Sequence, residues 1–118
     1  MRMDLVRGAL AAAALQLAVF SVTPAWSEEL SVKIDNFTFN PQRITVKAGT
    51  TVTWTNGDDI PHTVTSSAKL FKSKVLDTDD KFSFTFATPG VYEYFCSLHP
   101  HMTAAVVVEA ATGSNAAP

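Results

Sequence analysis

The feature that most narrows the possible folds of this chain is a period of two that recurs in short runs. In Lys81-Phe82-Ser83-Phe84-Thr85-Phe86 the phenylalanines fall on alternate positions, and an extended strand is what puts such positions on one face. Thr51-Val52-Thr53-Trp54 and Val91-Tyr92-Glu93-Tyr94-Phe95 repeat the pattern. Turn formers break the runs at Pro41, Ala48-Gly49, Asn56-Gly57-Asp58, Pro61, Pro89-Gly90 and Pro100, a spacing of roughly ten residues that suits short strands rather than helices. Strands are therefore expected at 30–34, 43–47, 51–54, 62–66, 81–86, 91–96 and 103–109. About seven to eight short antiparallel strands of this kind predict an all-β, Greek-key two-sheet β-sandwich.

Two stretches stand outside that pattern. Residues 68–80 carry Lys69, Lys72 and Lys74, then Asp77, Asp79 and Asp80, without a clear period; they read as a solvated excursion holding one helical turn at most. Residues 111–118 are small and polar and read as a disordered tail. Residues 1–27 read as a signal peptide: Arg2 and Arg7 precede an apolar run that ends before Pro24, Ala25 and Ser27. That run is shorter than the roughly 20 apolar residues a membrane span needs. One domain, 28–110, remains, in an exported and periplasmic protein with no membrane association once the leader is gone.

Charge excludes some partners. Taking Arg2, Arg7 and Asp4 of the leader from nine basic and eleven acidic residues leaves a net charge near −3. Such a balance offers no attractive field to nucleic acid or to an anionic membrane. A monomer is expected, since no feature calls for an obligate assembly.

The chemistry concentrates in Tyr94-Phe95-Cys96-Ser97-Leu98-His99-Pro100-His101-Met102. A thiolate, an imidazole and a thioether lie there at C-x-x-H-x-x-M spacing between two expected strands. His62 opens another expected strand, whose end Greek-key folding can bring beside that segment. Each residue has an ordinary explanation, a lone cysteine being a small hydrophobe and a lone methionine core filler. Together they include the single cysteine of an exported chain and two of its three histidines. A bare thiol in an oxidising compartment is a liability unless it is buried or its sulfur is occupied. Two imidazoles, one thiolate and a weak thioether form the trigonal set used for copper electron transfer.

On these residues the chain resembles the cupredoxin family of small blue copper proteins, and within it the amicyanin group. The resemblance runs from Leu30 to Glu109. It is carried by Val52-Thr53-Trp54-Thr55-Asn56, by Pro61-His62, by Pro89-Gly90-Val91-Tyr92-Glu93-Tyr94 ahead of Cys96, by the short gap between His99 and Met102, and by Val106-Val107-Val108-Glu109. It implies that one copper ion, cycling between Cu(I) and Cu(II), is bound in a plane by His62, Cys96 and His99 with Met102 axial. It also implies that His99 is the electron port, rimmed by Pro61, Leu98 and Pro100, for transient protein redox partners. The chain departs from the family at Thr63, where an asparagine is common, and from the amicyanin group at Leu98 and His101, where that group has proline and phenylalanine. His101 adds an imidazole beside the port, a group that ordinarily titrates near neutral pH.

Three other functions compete. A copper-delivery protein would favour Met-rich or His-rich exposed tracts, and two of the three methionines lie in the leader. A copper enzyme needs further histidines around an open coordination position, and only His101 is left over, so no catalysis is expected. Structural zinc suits cysteine and histidine but not a thioether.

Overall fold

A computed structural model describes residues 28–111. The leader read at 1–27 and residues 112–118 of the expected tail lie outside the described residues. Eight strands form two four-stranded sheets, among the described residues. They are β1 (Glu29–Asp35), β2 (Thr38–Asn40), β3 (Arg43–Lys47), β4 (Thr50–Asn56), β5 (Thr65–Ser66), β6 (Lys81–Phe86), β7 (Gly90–Cys96) and β8 (His99–Glu109). One sheet runs β2-β1-β4-β6 and the other β3-β8-β7-β5, which is the two-layer all-β sandwich expected from the alternation.

Burial follows that alternation. In β4 every second side chain, Thr50, Val52, Trp54 and Asn56, is buried. Val32 and Ile34 of β1 and Phe86 of β6 flank them on the same inner face, and Tyr94 and Cys96 of β7 with Val106 and Val108 of β8 line the inner face of the other sheet. Trp54 is fully buried and donates its indole N–H to the Tyr94 hydroxyl across 3.0 Å. That bond joins the two sheets and satisfies both buried polar atoms, which would otherwise oppose folding. Burial pushes the Tyr94 phenol up to about 12, against a smaller opposing pull from the Trp54 hydrogen bond.

The pairing departs from the expected antiparallel order in two places. β1 lies parallel to β4 and β3 lies parallel to β8. The reason is topological: the chain leaves β1 through the β2 hairpin, visits the second sheet as β3, then returns to the first sheet as β4 beside β1. Such a crossover brings a strand back in its original direction.

Local boundaries also differ from expectation. β2 contributes a single buried side chain, Phe39, so it is too short to show a period. The strand expected at 62–66 contracts to Thr65–Ser66, with His62 making an isolated bridge to Leu76. Residues 68–80 contain no helix and are not merely a wet excursion. Phe71, Ser73 and Leu76 are buried, and backbone bonds tie Ser66 to Phe71, Val64 to Ser73 and His62 to Leu76. Lys72 and Lys74 between them, and Asp77 and Asp79 after them, are exposed and mask these core positions in the sequence.

Candidate metal centre

Three pieces of chain converge where β1, β4 and β7 end. The first is the segment after β4. Fully buried Asn56 donates its amide to the carbonyls of Ile60 (2.9 Å) and Leu76 (2.8 Å) and accepts the Asp58 N–H (2.8 Å). Loop 57–61 is thereby folded over one side chain that bonds three backbone groups around it. The loop delivers His62, also fully buried, whose backbone exchanges two bonds with Leu76.

The second piece is the hairpin between β7 and β8. Cys96 pairs with His99, so Ser97 and Leu98 alone make the turn. The register slips between Phe95, which faces Thr103, and Cys96, leaving Pro100, His101 and Met102 as surplus on β8. A bulge of this kind re-aims side chains, and it starts β8 at His99 rather than at the expected residue 103. Cys96 is fully buried, Met102 is buried in the same cluster, and His99 is half-buried.

Together these pieces bring His62, Cys96 and His99 to one point, with their donor atoms all within 4.8 Å of one another. Cys96 Sγ lies 3.7 Å from His62 Nδ1 and 3.5 Å from His99 Nδ1. Metal bonds of about 2.0 Å to nitrogen and 2.3 Å to sulfur, opened to a trigonal angle, span about 3.7 Å. The spacing therefore fits one ion between the three donors. The donor chemistry, two imidazoles and a thiol with a buried thioether in the same cluster, fits copper better than zinc.

Hydrogen bonds prepare the donors. His62 Nε2–H donates to Asp58 Oδ2 at 2.7 Å, which leaves the Nδ1 lone pair free to face the sulfur. Burial raises the Asp58 carboxyl, but bonds from the Asn36 N–H, from His62 and from the Phe37 N–H outweigh it and hold the group below its ordinary value. The Thr63 N–H points at Cys96 Sγ across 3.3 Å. Thr63 Oγ1 also accepts the Ser97 N–H at 2.7 Å and meets the Ser97 hydroxyl at 2.8 Å. The threonine found where the family commonly has asparagine thus ties the two ligand-bearing segments together.

The third piece is the turn between β1 and β2, whose Phe37 ring lies edge-on to both His62 and His99. His101 is exposed and stands outside the donor group. Asn56, Asp58 and Phe37 shape the site, yet sequence reasoning does not single them out as functional. A carboxylate four residues before a histidine is the one signal available for Asp58; no local pattern marks Phe37.

Comparisons with known proteins agree with this geometry. The profile of the cupredoxin-like domain matches residues 8–108. Amicyanin-alpha of Methylorubrum extorquens is 39% identical over 106 residues, which cover 86% of each chain. The solved structure of a novel purple cupredoxin from Nitrosopumilus maritimus superposes with a TM-score of 0.64 at 35% identity, covering 67% of this chain and 98% of that one. A reduced amicyanin variant gives a TM-score of 0.65 at 34% identity, covering 68% and 81% respectively. Fold, donor geometry and sequence agree: this chain belongs to the cupredoxin family.

Proposed function

We propose that the protein is a blue copper electron carrier in which His62, Cys96 and His99 would hold one copper ion, with Met102 as a weak fourth donor. The observation that carries this reading is the convergence of Cys96 Sγ with the two Nδ1 atoms, from residues 34 and three positions apart in sequence. Bound copper supplies a one-electron couple whose Cu(I) state favours soft sulfur and whose Cu(II) state favours nitrogen.

The chain's part is to keep the donors still between those demands. His62 is fixed by Asp58 through its side chain and by Leu76 through its backbone. Cys96 and His99 are fixed by pairing with each other across a two-residue turn, next to the bulge that ends the β7–β8 ladder. Donors held from outside the site need little rearrangement when an electron arrives. His99 is the half-buried member of the pair and is the outlet toward a partner, with exposed Leu98 beside it. The amicyanin relatives support the carrier role, with transient protein redox partners; a monomeric state belongs to the same proposal. The leader read at 1–27 supports a periplasmic location. No catalytic step is assigned.

Adding Cu(II) to metal-free protein tests the reading. An intense visible band that Cys96→Ser abolishes, with fast electron self-exchange, supports it. A colourless complex, or one whose spectrum ignores Cys96, rejects it. Ready transfer of the copper to an acceptor protein, without self-exchange, would point to delivery instead.

A further inference from the structure

The turn between β1 and β2 is built against its own residue preferences. Asp35 pairs with Thr38, so Asn36 and Phe37 alone reverse the chain, at φ of 53° and 59°. This is the two-residue hairpin geometry that suits Asn followed by Gly. A bulky aromatic at the second position is a backbone outlier, because its Cβ crowds the neighbouring carbonyl. Burial of the ring does not explain its presence, since Phe37 is 49% exposed.

The metal centre does explain it. The Asp58 carboxylate accepts the Asn36 N–H at 3.0 Å and the Phe37 N–H at 3.2 Å. The oxygen that takes the Phe37 amide, Oδ2, is the one that accepts His62 Nε2–H. One carboxylate therefore fastens the strained turn to a ligand imidazole. The ring then lies T-shaped against His62 (centroids 5.7 Å apart) and His99 (5.0 Å), with both interplanar angles at 88°. His99 has the His62 ring on one side, 5.0 Å away, and Phe37 as a second neighbour. A strained residue held by its surroundings at a site is a pointer to function.

We propose that Phe37 is a positioning residue: an aromatic cap, tethered by Asp58, that limits rotation of the His99 imidazole and keeps small ligands and chelators from the donor group. The inference rests on the copper reading and adds a residue to it. A glycine would suit the turn better and would leave the edges of both imidazoles open to solvent.

Copper-loaded wild type is to be compared with Phe37→Gly, Phe37→Leu and Phe37→Tyr. Metal-free Phe37→Gly should melt at or above the wild-type temperature, because its φ is natural for glycine. The loaded variant should nevertheless release Cu(I) to bicinchoninate about threefold to tenfold faster, and its Cu(II) form should take azide at correspondingly lower concentration, the size expected for lost ring contacts. Phe37→Tyr should restore wild-type behaviour, and Phe37→Leu, which keeps bulk without a ring, should fall between. Unchanged release and azide binding in Phe37→Gly would overturn the cap. So would a large loss of metal-free stability with no change in release, which would make the ring a prop of the fold. Should Phe37→Gly fail to fold, Leu against Tyr decides on the same readouts. A wild type without the visible band would instead reject the copper reading itself.

Discussion

The two segments that bring the donors together are held by different physics. The β7–β8 hairpin, which carries Cys96, His99 and Met102, is a backbone ladder unbroken from Gly90 to Phe95, then bulged and closed by a two-residue turn. The His62 segment has only scattered backbone bonds to residues 71–76. Its loop hangs on side chains: Asn56 bonding Ile60, Leu76 and Asp58, and Asp58 bonding His62. Thr63 and Ser97 lace the two together. A ladder distributes its strength over many bonds, each replaceable in part by water. A segment hung on a few buried polar groups fails when one of them goes.

The first way to break this comparison is at the point both segments share. Cys96→Ser should abolish the visible band altogether while leaving the sandwich folded, as circular dichroism of the metal-free protein would show. Next in size is Asn56→Ala, which removes the donor to the Ile60 and Leu76 carbonyls and the acceptor of the Asp58 N–H and should cost about 2–4 kcal/mol. Urea unfolding of the metal-free protein measures it, and a loss under about 1 kcal/mol would show that the loop does not depend on that side chain.

The hairpin side has its own pH signature. The Tyr94 phenol is raised from 10.0 to about 12 on folding, so the folded state resists forming the phenolate. Its contribution is fully present below the unfolded value and is lost as pH climbs from about 10 to about 12, at up to about 1.4 kcal/mol per pH unit. Lysines titrate in the same window, so the readout is the difference between wild type and Tyr94→Phe. The variant should lack that part of the alkaline decline. It should be less stable by about 1 kcal/mol at neutral pH, where Trp54 loses its acceptor.

Smaller effects sharpen the link between the segments. Thr63→Val removes the acceptor of the Ser97 N–H and should cost about 1–2 kcal/mol. Thr63→Ser should recover most of it. Asp58→Asn keeps the shape but removes the charge that makes His62 a stronger donor. It should raise the reduction potential by about 50 mV, equivalent to about 1 kcal/mol for a one-electron couple. Voltammetry reads this directly, and a downward shift would contradict the role given to Asp58.

Legibility in the sequence followed the same division. Alternating runs such as Lys81–Phe86 were legible because a strand with one buried face writes its period into the chain. The C-x-x-H-x-x-M segment was legible because its donors are close in sequence. Residues 68–80 were misread because Phe71, Ser73 and Leu76 are buried singly among exposed lysines and aspartates, with isolated bridges back to His62 and Thr65 in place of a local repeat. The parallel pairings were missed because strand direction depends on which sheet the chain visits in between.

By itself the sequence determined the class of fold, the expected strands that became most of the ladder, and the kinds of donor atom. Those follow from periodicity and composition, which act over a few residues. Tertiary structure alone decided that a mid-chain imidazole meets the thiol, that Asp58 selects its tautomer, and that a strained Phe37 closes over both histidines. Each of those depends on groups about twenty or more residues apart, except the Asp58 bond to His62. Their meeting is fixed by sheet topology and packing, which no local run of residues encodes.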